Sequence, residues 1–224
     1  MPCFRNVGGT SDSTDLQLLQ LGEEVSSYDV TLQFLTEKRR RASGYNWIDA
    51  TEAQDYNPDW PAGQGLWIDE DTSDLPEEPV MVPVGNAIQM DFSDFDEVPL
   101  KSAGQVSDAD LSYTLHTGYN YVGNPFPAPL DIQNIQIDDS VASYDVTFQF
   151  LTSKRRRASG YNWIDATEAR DYDSEWPEGL GLWLDEDTSD LPEEPVTIAP
   201  GGAVQFDMSG NDGVVVTVYS PFEL

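Results

Sequence analysis

The stretch YDVTLQFLTEKRRRASGYNWID occupies Tyr28–Asp49, and YDVTFQFLTSKRRRASGYNWID occupies Tyr144–Asp165. Tyr28, Val30, Leu32 and Phe34 fall on one side of an extended chain, with Asp29, Thr31 and Gln33 on the other. That two-residue period predicts a half-buried strand. The basic run that follows, then Ala-Ser-Gly, predicts a turn, and YNWID predicts a returning strand that carries tryptophan into a core.

Working outward, a shift of 116 residues lays the chain on itself. Between Ser27–Phe92 and Ser143–Met208, 49 of 66 positions are identical without a gap. Upstream, DLQLLQL (Asp15–Leu21) lies over DIQNIQI (Asp131–Ile137). With a one-residue slip, CFRNVGG (Cys3–Gly9) lies over GYNYVGN (Gly118–Asn124). Copies of this length are too long for solenoid repeats and predict two tandem domains. The expected boundaries are a first β-domain at 1–98, a small polar linker at 99–110 and a second β-domain at 111–224.

Further runs read as strands. NAIQMDF (Asn86–Phe92) sets Ile88, Met90 and Phe92 against Ala87, Gln89 and Asp91, and GVVVTVYS (Gly213–Ser220) is rich in β-branched residues. Pro- and Gly-rich turns such as NPDWPAGQG, SDLPEEP and APGG separate them. The expected fold class is all-β, two tandem duplicated β-sandwich or small-barrel domains with short helical turns. One such turn is expected at Asp49–Asp55, capped by Asp49 with Glu52 in the capping-box position. LSYTLHT (Leu111–Thr117) alternates like a strand ahead of the second copy. The first copy has no room for its counterpart, which predicts an unfilled sheet edge there.

TGYNYVGNPFPAPLDIQNI (Thr117–Ile135), followed by VTIAPGGAVQF (Val196–Phe206), is similar to a module of large secreted bacterial surface proteins. That module opens on a GWNxxGNPFPxPxD pattern and closes on an I-x-P-G-x-G-F stretch. Here Tyr119 replaces the usual Trp, Ala203 stands where Gly is common, and the first copy lacks the NPFPAP segment. The resemblance implies an extracellular or cell-surface β-domain and no particular activity.

Composition narrows the chemistry. Cys3 is the single cysteine and His116 the single histidine, so intramolecular disulfides, cysteine zinc sites and multi-histidine metal centres are excluded. The first ten residues lack the pattern of a secretory signal, and no apolar run is long enough to span a membrane. With 41 acidic and 11 basic residues, the net charge of −30 repels phosphate backbones, so nucleic acid is not an expected partner.

Eight of the 11 cations lie in two runs, Lys38, Arg39, Arg40, Arg41 and Lys154, Arg155, Arg156, Arg157. Each copy also carries DEDTSDLPEEP, which places Asp69, Glu70, Asp71 and Asp74 in the first copy and Asp185, Glu186, Asp187 and Asp190 in the second. Arginine forks recognise carboxylates, so basic loops meeting acidic loops, between domains or between molecules, give a homo-oligomer or polymer. A solvated hairpin end that offsets local acidity and a patch for acidic polysaccharide are the competing readings.

The alternate spacing of Asp69 and Asp71, and of Asp185 and Asp187, also begins many calcium loops. The EF-hand requirements fail, however, because Asp74 and Val80 stand where Gly and Glu belong. Calcium is therefore an alternative, and no other cofactor is expected. Trp60 and Trp176 precede prolines in loops and are the candidate glycan contacts of an adhesion module. Carboxylate pairs occur throughout the chain and mark no cleft, so no catalytic residue is assigned and no enzyme activity is expected.

Overall fold

Val30 and Leu32 are fully buried, as the alternation requires, on the second of five strands that form one antiparallel sheet with their flanking partners. The computed structural model describes residues 2–6, 13–35, 41–82, 87–92, 100–101, 109–138, 140–151, 157–172, 179–208 and 210–222. The chain is all-β, with two short helices. Its first unit contains β1 (Pro2–Asn6), β2 (Thr14–Asp15), β3 (Gln20–Leu21), β4 (Val30–Leu35), β5 (Arg41–Ile48), α1 (Ala50–Tyr56), β6 (Leu66–Asp69), β7 (Met81–Val82), β8 (Ala87–Phe92) and β9 (Leu100–Lys101). The second contains β10 (Leu111–Leu115), β11 (Tyr119–Gly123), β12 (Leu130–Asp131), β13 (Ile135–Ile137), β14 (Thr147–Leu151), β15 (Arg157–Ile164), α2 (Ala166–Tyr172), β16 (Leu182–Asp185), β17 (Thr197–Ile198), β18 (Ala203–Asp207) and β19 (Val214–Val218).

The larger sheets have the orders β1-β8-β4-β5-β6 and β11-β18-β14-β15-β16. Their registers repeat at the 116-residue shift. Trp47 faces Trp67 as Trp163 faces Trp183, and Gln20 faces Lys101 as Gln136 faces Thr217. The first strand departs from the sequence alignment. Pro2 and Tyr119 pair with the equivalent Asp91 and Asp207, which sets β1 two residues away from the CFRNVGG overlay. A two-residue slip keeps the same residues on the same face, so side-chain alternation cannot detect it.

The second layer of the second unit is the sheet β10-β19-β13. Val214, Val216 and Val218 from β19 share one buried cluster with Phe148, Trp163, Trp183 and Phe206 of the large sheet. The first unit has its own cluster, from Leu16 to Met90. Leu100–Lys101, within the stretch read as linker, pairs with β3 as the counterpart of β19. Among the described residues β9 has β3 alone as a partner, whereas β19 is paired on both sides.

A 3-10 turn, Leu16–Leu18, ties the layers of the first unit together. Its Gln17 side chain accepts from the Trp67 N–H at 2.9 Å and donates to the Trp67 carbonyl at 2.8 Å. The Trp67 indole N–H donates to the Leu19 carbonyl at 2.8 Å. Gln133, Trp183 and Ile135 repeat the arrangement. Beside it, Gly65 lies against the Trp47 indole so closely that an added Cβ would collide with Cζ2 and Cη2, and Gly181 does the same over Trp163.

Two local expectations are corrected. Tyr28 does not join the inward face of β4. It has φ of 66° and is exposed, because the turn closed by Asp29 N–H on the Ser26 carbonyl ends before the strand begins. Tyr144 is the same. The cap of α1 is Asp49, which accepts from Thr51 and Glu52 N–H. The reciprocal partner is Ser27 rather than Glu52: its hydroxyl donates to Asp49 Oδ2 at 2.7 Å and accepts from Asp49 N–H at 2.8 Å. In the second unit, the NPF loop is pinned by buried Asn124, which donates to the Ala128 and Ile198 carbonyls and accepts from Phe126 N–H. Phe126 thereby enters the core.

Gly65→Ala is expected to lower stability by about 2 kcal/mol through overpacking against Trp47, measured by denaturant unfolding. The Ser27 hydroxyl, then the Glu52 amide, hold the Asp49 carboxyl below its ordinary value of 3.8. A depressed carboxyl stabilises the fold above its unfolded value and loses that contribution as pH falls through its folded value. Ser27→Ala is therefore expected to cost roughly 1–2 kcal/mol at neutral pH. In melts at falling pH its deficit relative to the parent narrows below about pH 4.

Candidate interaction site

The charged loops are placed by the β4–β5–β6 meander. Tyr45 pairs with Asp69, and one step beyond, Glu70 N–H donates to the Gly44 carbonyl at 3.0 Å. β6 therefore ends beside the start of β5, where the chain has just left the basic turn. The acidic loop therefore leaves the sheet at the end where β5 begins with Arg41. The second unit repeats this with Tyr161, Asp185 and the Glu186-to-Gly160 bond at 3.0 Å. Lys38, Arg39, Arg40, Lys154, Arg155 and Arg156 lie outside the described residues. Arg41 and Arg157 open β5 and β15. A register irregularity next to the turn, between Phe34 and Leu35 in β4 and between Gln149 and Leu151 in β14, marks where regular pairing gives way.

The acidic loop is organised around its first carboxylate. Asp69 Oδ1 accepts from Asp71 N–H at 2.9 Å and Thr72 N–H at 3.0 Å. Asp69 N–H reaches the Asp74 carbonyl, and Ser73 N–H reaches the Asp69 carbonyl. Ser73 takes a left-handed φ of 58° to close the loop. Asp185, Asp187, Thr188 and Ser189 form the same knot. Asp69 and Asp185 thus have backbone donors on Oδ1, while Asp71 and Asp187 are exposed. Among the described residues no three His, Cys, Asp or Glu side chains are grouped to hold a metal ion.

Trp60 is half-buried against the satellite cluster Ile48, Ala53, Leu66 and Ile68. Its ring lies 5.3 Å from that of Tyr56 at 32°, and Gln54 donates to its carbonyl at 2.9 Å. It anchors the loop after α1, and the exposed ring of the pair is Tyr56. Trp176 lies outside the described residues. Trp47, Trp67, Trp163 and Trp183 are all buried.

Sequence reasoning passed over Gln17, Gln20 and Ser27. The recurrence of Gln17 and Gln20 as Gln133 and Gln136 was the available signal, since solvent-facing positions carry no packing reason to match.

Removing the organising carboxylate with Asp69→Ala forfeits two backbone bonds of about 1 kcal/mol each. The Asp71 and Thr72 amides are then expected to exchange with solvent at least about tenfold faster, while Asp69→Asn, which keeps an acceptor, restores most of their protection. Hydrogen exchange followed by NMR checks both. Comparison with family models, with curated proteins and with solved structures finds no match.

Proposed function

We propose that this chain is a non-enzymatic extracellular structural protein, built as two tandem β-domains, that self-associates through the charged ends of its units. The observation that supports this reading is that each acidic loop begins beside Gly44 or Gly160, three residues after Arg41 or Arg157 close the basic run in sequence, through the Glu70–Gly44 and Glu186–Gly160 bonds. An end that carries both signs is complementary to another copy of itself. When two such ends meet, each basic turn faces an acidic loop, so the same surface serves both partners. A chain with two such ends is bivalent, and association propagates into filaments or other polymers instead of stopping at a dimer.

Among the described residues β9 is paired on one side only, and an unpaired strand edge would be a second means of contact, because it accepts another strand. The resemblance of the NPFPAP region to secreted surface modules supports an extracellular setting. No charged cluster of this kind implies a reaction, and the self-complementary ends require no small cofactor.

The measurement is mass by sedimentation velocity across a salt series. Oligomers are expected at about 0.15 M salt and dissociation toward monomer at about 1 M, where the Debye length shrinks to about 3 Å. The triple variant Lys38→Glu, Arg39→Glu, Arg40→Glu is expected to stop at dimers at the lower salt, and its combination with Lys154→Glu, Arg155→Glu, Arg156→Glu to be monomeric, both with an unchanged melting temperature. A parent protein that is monomeric throughout the series would sink the proposal.

A further inference from the structure

The first unit also contains a cleft that no motif in the sequence announces, and from its lining we infer that it is a binding site for a neutral sugar, a mono- or disaccharide. The cleft has a volume of about 750 Å³ and lies between β3, the turn that follows it, the start of α1 and the Gly63–Gly65 turn. That volume falls within the range of small-ligand sites. Trp47 forms part of its wall, and Gln20, Glu23, Thr51, Gln64 and Lys101 supply its polar groups.

The polar groups are of mixed type and have unspent capacity. Both N–H bonds of the Gln20 amide are engaged, one by the Gln17 carbonyl at 2.8 Å and one by the Gly65 carbonyl at 3.1 Å. Those two bonds fix the orientation of the amide and leave Oε1 as a positioned acceptor. Glu23 adds acceptors, Lys101 adds donors, and Thr51 and Gln64 add both; none of these four side chains has a partner among the described residues. A hydroxyl is donor and acceptor at once, so a polyhydroxylated ring satisfies such a mixed lining in one orientation. A phosphate or sulfate would face Glu23 and the ionised cap Asp49 in a chain of net charge −30. A cation would face Lys101. The neutral polyol is the ligand class that meets no like charge.

The two units differ where this lining requires it. At the 116-residue shift Gln64 becomes Leu180, Lys101 becomes Thr217 and Gly22 becomes Asp138, although most positions between Ser27 and Phe92 match their counterparts. The strand pairing confirms that Lys101 and Thr217 are equivalent positions. The second unit thus replaces an amide and an ammonium by a methyl-rich side chain and a short hydroxyl, and folds with both. This region is distinct from Trp60, so the site is independent of any glycan contact there and of self-association through the charged ends.

The experiment is saturation-transfer NMR on the full chain with D-glucose, D-galactose, D-mannose, N-acetyl-D-glucosamine, lactose and maltose, with methyl phosphate and methylammonium as charged probes. At least one sugar is expected to bind in the millimolar range, typical of about −4 kcal/mol, and the charged probes are not. The double variant Gln64→Leu, Lys101→Thr installs side chains the fold already carries in its second unit. It is expected to weaken that sugar at least about tenfold with an unchanged melting temperature. The inference is overturned if no sugar binds at about 20 mM, a concentration well above the expected dissociation constant. It is equally overturned if only a charged probe binds, or if the folded double variant binds sugar as the parent does.

Discussion

The clasp between Gln17 and Trp67 is the contact on which the first unit depends. Among the described residues β6 is the outer strand of its sheet, so one side of its backbone has no strand to bond there. A glutamine amide presents a donor and an acceptor in one plane, much as a neighbouring peptide group does. Gln17 uses both on Trp67, at 2.9 and 2.8 Å. The same tryptophan then sends its indole N–H to Leu19 across the core and sets its ring against Trp47 at 5.2 Å. One residue therefore closes an edge, joins two layers and fills the space between them. The second unit relies on the same set through Gln133 and Trp183. Closing this edge matters because an open one would recruit foreign strands.

Edges elsewhere are treated differently. β19 is covered on both sides, by β10 and β13, while β9 is covered by β3 alone among the described residues. The units also approach one another through their first strands: β1 comes near β11 and β18, and β8 comes near β11. Exchanging the two units leaves that set of contacts unchanged. Gln89 and Gln205, on strands that take part, are buried although the alternation turns them away from the cores. A repeated surface thus meets its own copy within the chain, the relation a self-complementary surface has between molecules.

Much of this was legible from period and position. The alternation of Val30 and Leu32, the β-branched run ending at Val218 and the tryptophans of YNWID all lead to the core where they were expected. Asp49 was legible as a cap because Asp before a short helix is a local signal. Its partner Ser27 was not, since the bond spans 22 residues and no spacing rule reaches that far. Tyr28 misled because an aromatic in phase with a strand looks like part of it, whereas a left-handed φ ended the phase. The charged runs were visible as composition, but the return of the acidic loop to Gly44 depends on strand order. The cleft of the first unit depends on four separate segments meeting, and single-segment patterns are blind to that.

Why an acidic chain keeps two basic runs follows from length scales. The net charge of −30 acts between whole molecules, and beyond about 10 Å it is screened at 0.1 M salt. A cation beside a carboxylate interacts at a few ångströms, inside that screening length. Moderate salt therefore removes the repulsion between molecules before it removes the attraction between facing loops. Had the basic turn and the acidic loop stood at opposite ends of a sheet, each end would carry one sign and contacts would run head to tail. The register brings the acidic loop to the end where β5 begins, with Glu70 bonded to Gly44 one residue past the Tyr45–Asp69 pair. In the proposed association, a basic run that meets an acidic loop would add little net charge to the interface. For a strongly acidic protein this favours contact at its ends over contact anywhere else on its surface.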